Sequence, residues 1–241
     1  MRDAMDLLAI FAHPDDAELL CGGALAKSVD AGQRVGILDL TGGEMGSQGT
    51  VQLRAEEAAA AADLLGVAVR RCAGLPDARL ENGEAHRAVV VRYLREFRPR
   101  VVVTHWRVGR HRDHRIACEI VRDACFLSAL RKLDAPGDPF RPEKLVYATA
   151  FREDAPAPSF VVDVTEQMER KLAAVQAYAS QFDGKSQAGE VFAGGDRPLV
   201  DQVRAQCAHY GSLIRTAYGE PFVVDEALQV ETLGHLRGSS F

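Results

Sequence analysis

The feature that most narrows what this chain can fold into is its alternation of short, near-continuous apolar runs with longer segments of helical pattern. Residues 7–11, 34–40, 68–72, 101–105 and 144–150 are rich in aliphatic and β-branched residues and too short for helices, so they predict strands. Between them, residues 18–30, 52–66, 85–97 and 114–130 carry the wider spacing of helices. LLAIF and VVVTH have almost no polar interruption, as expected of parallel strands covered on both sides. The pattern predicts an α/β fold, a Rossmann-like doubly wound, mostly parallel sheet with helices on both faces. Residues 160–164 are expected to add a sixth strand, and two further helices are expected near 165–179 and 199–218. No internal repeat or long linker divides the chain, so residues 1–241 are expected to form a single domain. Its core is expected at about 5–180, with a C-terminal helical and loop extension at about 181–241.

Composition removes several classes of function. The formal net charge is -5, without the basic excess that nucleic-acid binding usually shows. No apolar run approaches the roughly 18 residues of a membrane helix. The opening MRDAMDLLAIFAHPDD passes from a short apolar stretch straight into charge, and reads as a first strand rather than a signal peptide. Five scattered cysteines without a CxxC pair point to a reduced, cytoplasmic setting and away from a cysteine zinc site. Residues 183–198, rich in Gly and charge, are expected to be a surface loop, with a lid as the functional alternative.

Chemistry in open α/β sheets collects at the carboxyl ends of strands, near the point where strand order reverses. The first strand ends in AHPDDAELLCGG and the fourth in THWRVGRHRDHR. If these strands are neighbours, His13, Asp15 and Asp16 face His105, His111, Asp113 and His114 across one crevice. Neutral imidazoles and a carboxylate, with one position left for water, are what a catalytic zinc site uses. His13 and Asp16 are three residues apart, as are His111 and His114, a spacing that puts each pair on one side of a helical turn. Acidic residues also favour helix N-termini for electrostatic reasons alone. The complementary donor types at two sheet ends weigh against that simpler explanation. His105 and Trp106 are read as structural residues beside the pocket, His86 and His209 as surface residues, and Cys21 and Cys118 as buried small ones. Tyr218 is not placed in the site.

These segments resemble a known family. AHPDDAELLCGG resembles the HPDD motif of the LmbE-like family, also called the PIG-L or N-acetylglucosaminyl de-N-acetylase family. RHRDHR resembles its His-x-Asp-His motif, and TGGEMGSQGTVQLRAEEAAAAADLLG its glycine turn and Arg- and Ala-rich helix. The likeness runs from about residue 5 to at least 151, is weaker in YASQF and YGEPF, and is greatest to the branch with the deacetylase of bacillithiol biosynthesis. The resemblance implies His13, Asp16 and His114 as metal ligands, Asp15 as general base, His111 as oxyanion stabiliser and Asp113 as the residue that orients it. Arg112 stands where that branch often has proline.

The resemblance implies one Zn²⁺ per chain, with Fe²⁺ as the alternative, a small amino-sugar substrate, and a homo-oligomer, trimeric or hexameric. On this reading Asp15 takes a proton from water and returns it to the leaving amine. A protonated His111, its charge favoured by Asp113, then stabilises the oxyanion. Arg54 is expected to contact an acidic substrate group, with a helix-face ion pair to Glu56 or Glu57 as the alternative, and Arg110 is the favoured basic contact beside the second motif. The expected substrate is N-acetylglucosaminyl malate. Its rivals are a chitooligosaccharide or a mycothiol-type conjugate. A nucleotide-binding protein of similar fold is disfavoured, because HPDD rather than GxGxxG follows the first strand. A non-catalytic metal protein would need neither Asp15 nor His111.

Overall fold

A computed structural model of the protein describes residues 4–151, 153, 155–182 and 197–233. Seven strands form one sheet: β1 (Leu7–Phe11), β2 (Val35–Asp39), β3 (Val69–Cys72), β4 (Val101–His105), β5 (Lys144–Ala148), β6 (Phe160–Asp163) and β7 (Gly219–Val223). The helices are α1 (Asp16–Asp30), α2 (Val51–Leu65), α3 (Glu84–Phe97), α4 (Arg112–Leu127), α5 (Met168–Gln176), α6 (Ala179–Phe182) and α7 (Leu199–Leu213). The helix expected over 165–179 is divided: a 3₁₀ turn, Thr165–Gln167, precedes α5. The helix expected to reach 218 stops at Leu213. The lid or loop expected at 183–198 lies, except for its last two residues, outside the described residues.

The sheet order is β3-β2-β1-β4-β5-β7-β6. Strands β1 to β5 pair in parallel, and β7 runs antiparallel to both β5 and β6. Side chains of a strand alternate between faces, so each strand feeds two cores. Leu8 and Ile10 of β1 pack with Val90, Val91 and Leu94 of α3 and Ile120 and Val121 of α4. Ala9 and Phe11 face the other way, toward Ala17, Leu20 and Leu25 of α1, Ala61 and Leu65 of α2 and Ala174 of α5. Helix α2 starts where Thr50 Oγ1 accepts the Leu53 N–H at 3.1 Å and stops at Gly66, whose φ of 75° is a conformation glycine adopts at no steric cost.

One expectation needs correction. The segment read as a C-terminal extension contributes β7, which enters the sheet between β5 and β6 and pairs Ala148 with Phe222 and Phe160 with Phe222. YGEPF holds a proline and a glutamate, residues that local propensity disfavours in an interior strand. Tertiary context overrides it, because Glu220 is buried against a lysine rather than left without a partner. Among the described residues no helix is long and apolar enough to cross a membrane.

Candidate functional site

The two His- and Asp-bearing segments meet at the point of strand reversal. β1 and β4 are direct neighbours, paired from Leu7↔Val101 to Ala9↔Val103, and their carboxyl ends open on a crevice of about 630 Å³. His13, Asp15, Asp16, Arg54, Arg110, His111 and His114 all line it. The HPDD turn folds back on itself: the His13 N–H donates to Asp16 Oδ2 at 2.9 Å, which aims the Asp16 carboxylate into the crevice. His13 thus precedes α1 rather than belonging to it, and the backbone turn, not a helical face, brings it to Asp16.

The Asp16 carboxylate lies among three imidazoles. Its Oδ2 is 3.4 Å from His13 Nδ1 and 3.3 Å from His105 Nε2, and its Oδ1 is 3.2 Å from His114 Nε2. Two ligand atoms each about 2.0–2.2 Å from a tetrahedral ion stand roughly 3.3 Å apart, so these spacings fit a divalent cation of zinc's size. The donors form three overlapping groups: His13, His111 and His114; Asp16, His105 and His114; and His13, Asp77 and Asp113. The expected trio of His13, Asp16 and His114 straddles the first two. His105 is the weaker donor of its group, because its Nε2 already accepts the Ala12 N–H at 3.0 Å.

The charges of these groups follow from their contacts. Burial would push Asp16 up, but His114 and His105 outweigh it and hold the carboxyl well below its ordinary range. Burial draws His114 down to about 4. It acts on His13 too, yet the carboxylates of Asp16 and Asp77 prevail and raise it to about 10.

Asp77 is a crevice residue that the sequence reading did not name. Its Oδ1 accepts from His13 Nε2 at 3.0 Å, and its own position is set by N–H groups of Met45 and Ala78 at 2.9 and 2.7 Å. With Nε2–H engaged there, His13 turns Nδ1 toward Asp16. That is the carboxylate–histidine arrangement that orients metal-binding imidazoles. Asp77 follows β3 in GLPD, so applying the strand-end rule to the third strand as well as the first and fourth would have found it.

Asp15 occupies an unusual backbone position, with φ of 106°, a left-handed value that non-glycine residues seldom adopt and that marks local strain. Burial pushes its carboxyl up to about 8, against the pull of Arg54. Arg54 is itself buried. Its Nη2 donates to Asp15 Oδ2 at 3.1 Å and to the Pro14 carbonyl at 2.6 Å, and its Nη1 to the Gly43 carbonyl at 3.0 Å. Arg54 thus pairs with Asp15 rather than with Glu56 or Glu57, and its terminal nitrogens also reach two backbone carbonyls. Gly43, at φ 68°, is required for this contact, since a Cβ there would sit 2.0 Å from Arg54 Nη1.

His111 and Asp113 meet at the start of α4. His111 caps α4, where its Nδ1 accepts the Asp113 N–H at 3.2 Å. The Asp113 carboxylate points elsewhere, accepting from Ala78 N–H at 2.7 Å and from Arg112 Nη1 at 2.9 Å, and comes within 3.9 Å of His13 Nε2. Its charge favours protonated His111 only weakly. Burial and the neighbouring rings of His114 and His13 prevail and lower His111 to about 4, so the imidazole is neutral at pH 7. A lone pair on Nδ1 leaves the ring proton on Nε2. Arg110 sits at the rim with its guanidinium exposed; its backbone N–H donates to Glu153 at 2.8 Å.

Known proteins resemble this chain in sequence and in fold. The family described as GlcNAc-PI de-N-acetylase, PIG-L, matches residues 8–125. Diacetylchitobiose deacetylase of Thermococcus kodakarensis is 30% identical over 196 residues, 75% of this chain and 72% of that one. A probable N-acetyl-α-D-glucosaminyl L-malate deacetylase 2 of Bacillus anthracis is 28% identical over 77% of this chain and 85% of its own. Among solved structures, a conserved protein of Thermus thermophilus superposes with a TM-score of 0.85 at 38% identity, covering 94% of this chain and 98% of that one.

Proposed function

Because this chain belongs to the GlcNAc-PI de-N-acetylase (PIG-L) family, we propose that it is a metal-dependent hydrolase that removes the N-acetyl group of an N-acetylglucosamine-type substrate. The observation that carries this reading is the Asp16 carboxylate held 3.4 Å from His13 and 3.2 Å from His114, with the buried Asp15 beside it in the same crevice. N-acetylglucosaminyl malate, the substrate type of bacillithiol biosynthesis, is the favoured substrate, supported by the named activity of the Bacillus anthracis relative. Diacetylchitobiose is the second reading, supported by the Thermococcus relative, and a mycothiol-type conjugate the third. A cytoplasmic enzyme assembled as a trimer or hexamer belongs to the same reading.

His13, Asp16 and His114 would hold the ion, zinc in this reading and ferrous iron as the alternative. Bound there, a divalent cation supplies Lewis acidity, polarising an amide carbonyl and acidifying water. The chain's own residues do the rest. Asp15 accepts the proton of the attacking water and returns it to the leaving amine. Arg54 holds Asp15 in its strained geometry and favours its charged form. His111, neutral with its proton on Nε2, donates a hydrogen bond to the developing oxyanion, an effect commonly worth about 3–4 kcal/mol. Asp77 fixes the His13 ring, and Asp113 reaches the site through Ala78 and Arg112 rather than through the His111 ring. Arg110, at the rim with its Nε 3.7 Å from the Glu153 carboxylate, would meet an acidic aglycone such as malate.

The test is acetate release from three substrates by the zinc-loaded protein: N-acetylglucosaminyl malate, diacetylchitobiose and N-acetylglucosamine. Fastest release from the malate conjugate is expected. Preference for diacetylchitobiose transfers the protein to the second reading, and no acetate from any N-acetyl sugar rejects the proposed activity.

A further inference from the structure

Helix α1, which carries Asp16 at its start, is broken. Cys21 has φ −145° and ψ 16°, outside helical values, so helical geometry stops between the first turn and the rest. A break inside a buried helix leaves backbone groups that must find other partners. Two side chains from the far end of the chain supply them. Glu220 of β7 accepts the Gly23 N–H at 2.9 Å and the Ala24 N–H at 2.6 Å. Lys171 of α5 donates to the Leu19 carbonyl at 2.8 Å and pairs with Glu220 at 2.6 Å. Both side chains are 1% exposed.

The close approach is built into the sequence. A Cβ on Gly23 would lie 2.8 Å from Val164 Cβ and 3.1 Å from Glu220 Oε1, so the carboxylate comes this near the helix only where a side chain is missing. A buried ion pair is a poor device for stability, since apolar residues of equal volume commonly serve as well or better. This pair does what apolar residues cannot, because it meets backbone N–H and C=O groups on both sides of the break. On the near side lie Asp16 and the crevice-lining Leu19 and Leu20. Glu18, between them, is anchored separately to Arg70 at 2.5 Å.

We infer that Lys171 and Glu220 are positioning residues: their buried pair sets the break in α1, and the break sets the direction of the Asp16–Leu20 segment that brings a cation donor and two wall residues into the crevice. The inference rests on the proposed function for the use of that segment. It makes the last third of the chain, beyond the matched residues 8–125, part of what shapes the site.

The experiment compares the wild-type protein with Glu220→Gln and with the double variant Lys171→Met/Glu220→Gln, which leaves no unpaired buried charge. Zinc affinity is measured by chelator competition, and amide exchange at Gly23 and Ala24 by NMR, alongside melting temperature, kcat and KM. In the double variant zinc affinity is expected to weaken about tenfold or more, as when groups that orient metal ligands are lost. Exchange at Gly23 and Ala24 should quicken, and kcat should fall more than KM changes. A lower melting temperature with unchanged zinc affinity and kcat reduces the pair to a structural role and overturns the inference. Should both variants fail to fold, the wild-type protein decides: zinc is expected to slow exchange at Gly23 and Ala24, because coupling between two sites is reciprocal. Exchange indifferent to zinc overturns the inference. Zinc affinity and exchange are read without turnover, so a protein that binds zinc yet releases no acetate removes the proposed activity and leaves this inference standing.

Discussion

Asp15 and Asp16 are adjacent in sequence and opposite in electrostatic circumstance. His114 and His105 keep Asp16 charged, whereas burial raises Asp15 and Arg54 and His13 oppose it only in part. Neighbouring carboxyls whose environments drive them apart are how one site obtains both a ligand and a base. Asp15→Ala is therefore expected to keep its zinc, measured by metal analysis, while kcat falls by about 10²–10⁴-fold. A variant with near-normal kcat removes Asp15 as the base. Asp77→Asn tests the missed residue differently. Its amide keeps the volume but loses the charge that fixes His13, so zinc affinity should weaken by about 10–100-fold. Chelator competition reads this directly, and unchanged affinity would leave Asp77 without a role in holding His13.

At the scale of elements, the site depends on what precedes and follows helices more than on the helices themselves. Asp15 sits at the left-handed entrance to α1, His111 at the entrance to α4, and Arg54 reaches both Pro14 and Gly43 from the first turn of α2. Gly43→Ala would force a Cβ into the Arg54 guanidinium and strain a φ of 68°. Thermal unfolding should show a loss of about 1–3 kcal/mol. The kinetic effect should be greater than the loss of folded protein explains, since Asp15 loses its partner. Activity that follows the folded fraction alone would show that Arg54 does not tune Asp15. Element boundaries were legible to within a few residues because apolar runs and caps are local signals. The positive φ at Asp15 was not legible, being held by contacts from Arg54, 39 residues away.

For the whole molecule, cation binding and folding are linked. A ligand that binds only the folded state stabilises it, by about 4 kcal/mol at a thousand times Kd. Zinc should therefore raise the melting temperature and a chelator should lower it, read by calorimetry in either direction. A melting temperature indifferent to both would mean that His13, Asp16 and His114 hold no ion. The sheet itself shows where local reading stops. Strands β1, β2, β4 and β5 follow from apolar runs that are largely buried, while the edge strand β3 carries two arginines. β7 does not follow in this way, because its buried glutamate is partnered only once Lys171 and the broken α1 are in place.

The sequence by itself determined the layered α/β architecture, the meeting of two polar strand ends and the donor types that gather there. These depend on short-range periodicity and on the general rule that open sheets bind at their reversal point. Only the tertiary structure decided which partner each donor takes. It paired Arg54 with Asp15, turned Asp113 away from the His111 ring, buried that ring so that its pKa falls, and brought Asp77 to His13 and Glu220 to α1. Such choices are made by burial and by contacts between residues remote in sequence, whose energies a linear pattern does not contain.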